Sequence, residues 1–355
     1  MVTIKEIAKA VGVSSTTVSR VLNYDPALSI SAAKRQAIIE TAEALNYATP
    51  RNRNRGNGNV AAYLSAPATP LSRLAIVHFL EPYDELADPY YVGVRFGIEN
   101  RCRAHGTEIV KIFHSDTLPD PALLESVSGV IVVGKQSDNE IAWLADHCRH
   151  VVFADFDPQS DTMDCVHPDV GFATRKILNE LNAMGYQRIA FIGSYEHLNG
   201  ETQPFGERRC KAYIDWQKER GQFDPALLVL GESCDSGQNL RLETGYMLAK
   251  QVLQLKPLPD VIITANDNMA IGTYRAMAEA GLRVLDDIAV VSFNDIPVAQ
   301  FLTPPLSTMK IHGEHIGETA VDLLVERLAG RDYTKNVTIA TEMIWRESSR
   351  KPVSG

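Results

Sequence analysis

The chain has 355 residues, 45% of them hydrophobic, with a formal net charge of −9, yet residues 1–60 carry eight Lys/Arg against four Asp/Glu. Such length and apolar content exclude a disordered or fibrous chain and predict two or three domains with real cores. No stretch approaches the length of a membrane span and no apolar run precedes the first predicted helix, so neither insertion nor secretion is signalled and a cytoplasmic protein is expected.

Thr3 to Asn23, TIKEIAKAVGVSSTTVSRVLN, reads as two short helices and a turn. Thr3 and Glu6 have capping-box spacing. Ile4, Ile7, Ala8 and Val11 recur on one face, and Gly12 permits a sharp turn. Ser14 or Ser15 caps a second helix whose Val18, Val21 and Leu22 face inward, leaving Ser15, Thr16, Ser19, Arg20 and Asn23 outside. That is a helix-turn-helix, whose second helix enters the major groove of DNA. Hydroxyls at Ser15 and Thr16 suit base edges, and Arg20 suits a phosphate or a guanine. A solvated helical hairpin is the plain alternative. Residues 31–45 predict a third helix with Ala37, Ile38, Ala42 and Leu45 closing the head; Lys34 and Arg35 near its start are either phosphate contacts or a solvated pair.

The GVSSTTVSRVLN run, with TIKEIA before it and ALNY at Ala44–Tyr47, resembles the lactose and galactose repressor family of bacterial transcription factors. The resemblance implies a DNA-binding head over residues 1–48, with Thr3 and Ser14 joining the reader residues named above, and a hinge within residues 49–72. There the family carries Ala-x-x-Leu, whose Leu wedges into the minor groove. Counting from Tyr47 puts Asn52 and Arg55 at those places. Counting back from the first strand gives Ala61 and Leu64, the favoured register, with Arg51, Arg53 and Arg55 then free to meet phosphate.

From residue 73 short β-rich runs alternate with helical ones. LAIVHF, EIVKIF, GVIVVG, HVVFAD, RIAFIG, DVIITAN and IAVVSFN are the strands, and helices fit over residues 90–105, 171–184, 205–221, 243–253 and 268–281. Continuous apolar strands separated by helices mean parallel, doubly wound α/β sheets covered on both faces, here two subdomains facing across a cleft. Ligands bind beyond the carboxyl ends of such strands. Asp155, Asn266 and Asn294 follow three of the runs, and their carboxylate and carboxamide groups suit sugar hydroxyls, although a carboxamide there is also a common helix cap. Tyr90 and Tyr91 open a helix where one ring could stack on a pyranose; Asp267 and Asp295 are assigned to structure.

The family resemblance extends over this body and implies a periplasmic-binding-protein-like fold, its N-subdomain about residues 73–168 and 310–332 and its C-subdomain about 169–309 and 333–346, before a tail at 347–355. It places Asp155, Arg209 of RCKAY, Asn266 and Asn294 in the effector pocket, with Asn294 standing where several relatives have Asp. DPYY, GVIVVGK and NDIPVAQF look most like regulators of galactose and β-galactoside genes. The expected protein is therefore a sugar-responsive repressor acting as a homodimer on a pseudo-palindromic double-stranded operator. An activator of the same build, a sugar-binding protein without a DNA role, and an enzyme on the same sheets are the alternatives. Against an enzyme, no GxSxG elbow, phosphate loop or paired acid and base is found, and no cofactor is called for; HGEHIGE at 312–318 lacks HExxH order and is not assigned to metal. Cys102, Cys148, Cys165, Cys210 and Cys234 form no CxxC pair and read as free thiols.

Overall fold

Apolar residues at helical spacing build the head from α1 (Ile4–Val11) and α2 (Ser15–Leu22), with Ile7, Ala8, Val18, Val21 and Ile38 buried together. The computed structural model describes residues 4–22, 30–31, 34–35, 37–38, 41, 72–113, 121–198, 201–203, 207–232 and 240–349. The chain divides into two compact units, Met1–Ala68 and Thr69–Gly355. Helical backbone at residues 34, 35, 37, 38 and 41 agrees with a third head helix.

The body holds two six-stranded sheets. In chain order its elements begin β1 (Arg73–His78), α3 (Pro82–Ala87), α4 (Pro89–His105), β2 (Glu108–Phe113), α5 (Pro121–Leu124), β3 (Gly129–Val133), α6 (Asp138–His147), β4 (Val151–Ala154) and β5 (Asp164–Pro168). Then come α7 (Val170–Ala183), β6 (Ile189–Ser194), the hairpin β7 (Glu196–Leu198) and β8 (Glu201–Gln203), α8 (Arg208–Glu219), β9 (Leu228–Gly231), α9 (Leu242–Val252), β10 (Val261–Thr264) and α10 (Asp267–Glu279). β11 (Ala289–Asn294), β12 (Ser307–Lys310), α11 (Gly313–Leu328), β13 (Asn336–Ile339) and β14 (Glu342–Ile344) complete it. The N-lobe sheet runs β13-β5-β4-β3-β1-β2, all parallel; the C-lobe sheet runs β14-β12-β11-β10-β6-β9, parallel except for β14. The expected two-lobed parallel architecture is present.

Burial on both faces explains the continuous apolar strands. Leu74 and Ile76 of β1 face one core and Ala75 and Val77 the other, as period-2 alternation requires. Two helix pairs cover these sheets at unusually close range. A Cβ on Gly97 of α4 would lie 2.0 Å from the Glu314 carbonyl oxygen of α11, and one on Gly317 would lie 2.1 Å from Val94 O. The C-lobe repeats the device: Gly245 of α9 abuts Met269 of α10 and Gly272 abuts Leu242, again backbone to backbone. Sequence alone marks none of the four as contact glycines.

Two expected boundaries need correction. Asn336–Ile339 pairs with β5 and so belongs to the N-lobe, not the C-lobe; the third crossing between lobes falls between β13 and β14. The cause is Asp164 at the start of β5, fully buried, which accepts from Arg327 Nε (2.7 Å), Arg331 Nη2 (2.6 Å) and Lys335 N (2.6 Å) and so draws the segment after α11 alongside it. Nor is residue 347 the start of a tail. Ser348 and Ser349 are buried: Ser348 N donates to Pro305 O (3.0 Å), Ser348 Oγ donates to Val290 O (2.6 Å), and Ser349 Oγ lies 2.8 Å from Ser307 Oγ.

These contacts give two expectations. Gly97→Ala should lower the stability of the body by about 1–3 kcal/mol in denaturant unfolding, the cost of overpacking. Gly93→Ala on the same helix, with nothing within 4 Å of the added carbon, should be neutral or slightly stabilising. Equal stability of the two variants would refute the close crossing. For Asp164, burial opposes the charge, but the hydrogen bonds from Arg331, Arg327 and Lys335 N outweigh it and hold the carboxyl below the usual range. Its contribution is therefore present above the ordinary carboxylate pKa and is lost as pH falls through the lowered folded value. Asp164→Asn should cost about 3–5 kcal/mol near neutrality and flatten the acid limb of the stability curve.

Candidate functional site

In the head, Gly12 takes φ +68°, and Val13 N donates to Ala8 O at 3.0 Å, which closes the turn. Ser14 Oγ accepts from Thr17 N (3.1 Å) and lies 2.8 Å from Thr17 Oγ1, so of the two candidate caps Ser14 is the one used. Thr16 is exposed, and Ser15, Ser19 and Arg20 are half-buried on the same short helix, away from the Val18 and Val21 face. Thr3, Asn23 and Leu64, with hinge residues 49–71, lie outside the described residues.

In the body, the strand ends of the two sheets enclose a cavity of about 330 Å³, and Tyr90, Asp155, Arg209, Asn266 and Asn294 all line it. Tyr90 Oη donates to Asp155 Oδ1 at 2.7 Å. Tyr91 packs edge to face against Phe79 and Tyr90 and also lines the cavity, so both tandem aromatics are buried at its wall. Asp155 (φ +64°) and Asn294 (φ +106°) sit in the left-handed region directly after β4 and at the end of β11, a conformation that costs a non-glycine residue about 1–3 kcal/mol and recurs at ligand sites. Arg209, at the start of α8, is buried. Its Nε donates to Glu207 Oε1 (2.7 Å) and its Nη1 to Ala265 O (2.5 Å), while Phe293 lies beneath the guanidinium at 5.4 Å. A planar cation thus fixed on two sides is preorganised to donate from its remaining N–H groups.

The two residues of the Asn266-Asp267 pair carry distinct duties. Asn266 caps α10, its Oδ1 accepting from Met269 N (3.0 Å), and its Nδ2 donates to Leu240 O (2.9 Å). Both ends of that carboxamide are engaged within the C-lobe, so it walls the cavity and shapes the loop at 240. Asp267 is no cap. Its Oδ2 accepts from Ile296 N (2.9 Å) and its Oδ1 from Thr308 Oγ1 (2.8 Å), the structural role expected for it by a different route. Asp295 pairs with Arg346 at 2.7 Å.

Sequence reasoning missed much of the remaining wall: Asp88, Lys135, Gln136, Asp138, Asp157, His167, Glu196, Glu207 and Arg208. The strand-end rule that found Asp155 could also have found Lys135 and Gln136, which follow β3. Burial pushes the Asp88 carboxyl up to about 6 and also raises Asp155, despite hydrogen bonds from Tyr90 and Tyr91 and the nearby Arg209 and Lys135 charges. Burial lowers the Lys135 ammonium to about 8 against the upward pull of Glu207. Lys135 reaches across the cleft to pair with Glu196 of the hairpin. The cavity thus offers six carboxyl groups against Lys135, Arg208 and Arg209, a lining that repels an anion and offers many acceptors to hydroxyl donors.

Comparison with known proteins agrees with both halves. Residues 3–50 match the model of bacterial regulatory proteins of the lacI family, and residues 178–349 match a periplasmic binding protein-like domain. The chain is 34% identical to the HTH-type transcriptional repressor MelR of Bacillus subtilis (strain 168) over 354 residues, 98% of this chain and 97% of that one. It is 73% identical over 110 residues to a lactose operon repressor of Rhizobium radiobacter, 31% of this chain and 97% of that protein. A crystal structure of the lac repressor dimer bound to operator and the anti-inducer ONPF superposes with a TM-score of 0.65 at 24% identity, covering 98% of each chain. No helix among the described residues is long and apolar enough to cross a membrane. With a helix-turn-helix head and a two-lobed binding body, this chain belongs to the lacI family of bacterial regulatory proteins and is a DNA-binding transcription regulator, not an enzyme.

Proposed function

We propose that this protein is a cytoplasmic repressor of galactoside utilisation genes, a homodimer whose two heads hold a pseudo-palindromic operator until a neutral galactoside enters the cleft. The observation that carries the sugar reading is the cavity itself, where Tyr90, Asp155, Arg209 and Asn294 converge from both lobes. Its carboxyl-rich wall disfavours a phosphorylated sugar, and its size suits a small saccharide. The 73% identity to a lactose operon repressor over 110 residues supports a β-galactoside, with lactose or a close derivative the ligand to try first. In the head, Ser15, Thr16 and Ser19 read base edges, Arg20 contacts a base or phosphate, and Ser14 presents the helix. Thr3, Asn23 and Leu64 complete the proposed contact set. One short recognition helix covers only a half-site, which is why two heads are required.

The direct test retains fragmented genomic DNA on the full-length protein and elutes it with lactose, galactose, glucose and galactose 6-phosphate. Release by lactose or galactose, and not by the phosphate, is expected; retention without release by any of them would defeat the galactoside reading. Operator affinity should fall steeply with salt, because the basic head displaces counterions. Arg20→Ala should lose about 1–3 kcal/mol of operator binding in a gel-shift titration. Arg209→Ala should keep operator affinity while losing about 1.5–3 kcal/mol of lactose affinity by calorimetry, the scale of a charge-assisted hydrogen bond. Normal sugar binding in that variant would remove Arg209 from the site.

A further inference from the structure

Gln136 is 1% exposed and lines the cleft cavity, yet neither its Oε1 nor its Nε2 has a hydrogen-bond partner among the described residues. A buried carboxamide in that condition is destabilising, since desolvation is not offset by a bond. The backbone on both sides nevertheless holds it there. Two residues before, Gly134 takes φ +82° and presses against the Phe79 ring, which a Cβ would enter at 2.1 Å. One residue after, Ser137 opens α6 with a complete capping box: its hydroxyl accepts from Glu140 N (3.3 Å) and Glu140 Oε2 accepts from Ser137 N (2.5 Å). The backbone that carries Gln136 is thus constrained on both sides, and its carboxamide is left unsatisfied among the described residues. Unpaired polar groups held rigidly in a cavity wall are what a site built for a polar ligand contains before the ligand arrives.

We propose that Gln136 is a specificity-determining contact of the effector site, its Nε2 donating to one sugar hydroxyl and its Oε1 accepting from another. This rests on the sugar reading above. A neutral amide that both donates and accepts selects a pair of hydroxyls in a fixed direction, which the surrounding carboxylates, as acceptors, cannot do alone. A ligand lacking the matching pair leaves the amide unpaired and is rejected.

The test compares the full-length wild type with Gln136→Met, close in volume and without the amide, by thermal unfolding in the absence of sugar and by calorimetric titration with lactose and with galactose. The unfolding midpoint of the variant should equal or exceed that of the wild type, while lactose affinity falls about tenfold or more, as the loss of two neutral hydrogen bonds requires. A loss shared by galactose puts the amide on the galactose ring; a loss confined to lactose puts it on the second ring. Either supports the assignment. Wild-type lactose affinity in the variant means the amide is idle or satisfied by water, and a lowered midpoint means its role is structural; each overturns the proposal. If the wild type itself binds neither sugar, the galactoside reading falls and this one with it, whereas binding by the wild type beside an unaffected variant removes this one alone.

Discussion

The floor of the cleft in the C-lobe hangs from one buried carboxylate. Asp267 is fully enclosed, and its two oxygens tie the start of α10 to Ile296 N, just beyond β11, and to the Thr308 hydroxyl on β12. Asp295 N donates to that same hydroxyl at 3.3 Å. Three consecutive strand ends are thereby clamped together, and the residues beside the clamp, Asn266 and Asn294, are presented to the cavity. Burial drives the Asp267 carboxyl up to about 7 against the hydrogen bonds that favour its charge. The arrangement is thus costly at neutral pH, and what it secures is one fixed geometry for the segments beside the cavity.

Asp164 does the corresponding work in the N-lobe with the opposite electrostatic outcome. Two arginines and a backbone N–H satisfy it, so its charge is favoured and β5, α11 and β13 are held as one edge. The difference follows from the partners. Hydroxyls and one amide cannot repay the desolvation of a carboxylate, whereas guanidinium groups can. Each lobe also carries one glycine-to-backbone helix crossing, which packs its helix pair closely.

What could be read in the sequence follows the same physics. Strands buried on both faces, such as Ala289–Asn294 and Gly129–Val133, announce themselves as unbroken apolar runs, and five of the helices between strands lie within a few residues of their expected ranges, whereas Asp138–His147 and Gly313–Leu328 are not among the expected helices. An edge strand such as Glu108–Phe113 is still legible where its sequence alternates, but polar strands near an edge are not. Asp164–Pro168, Ser307–Lys310 and Asn336–Ile339 carry polar residues whose partners lie far along the chain, Ser307 with Arg346 and Asp164 with Arg331, so no local pattern betrays them. The cleft was legible where a polar residue ended an apolar run. Asn266 ends such a run and lines the cavity, while one bond at each end of its side chain caps α10 and holds Leu240. Gln136 was overlooked although it obeys the same rule, because its significance lies in what it fails to touch.

The contacts that span the cleft explain how a small ligand can govern so large a body. Arg241 pairs with Asp84 at 2.7 Å, Asn268 Nδ2 donates to Ala87 O at 3.1 Å, Arg208 approaches Asp157 at 3.9 Å, and Lys135 meets Glu196. Arg241 and Arg208 are half exposed, and pairs of that kind contribute about 0–1 kcal/mol each. Those two pairs therefore add little to holding the lobes together. Moving a two-state equilibrium from 1:99 to 99:1 takes about 5.5 kcal/mol of differential binding. A ligand that bonds Asp155 and Tyr90 on one lobe together with Arg209 and Asn294 on the other makes that full set of bonds only when the lobes are closed. Only the bonds added on closing count, and the two contacts of the second lobe, at about 0.5–3 kcal/mol each, supply about 1–6 kcal/mol, which reaches the required sum at its upper end. A sugar held by one lobe alone would bind the open and closed forms equally and would shift nothing, however tight its binding.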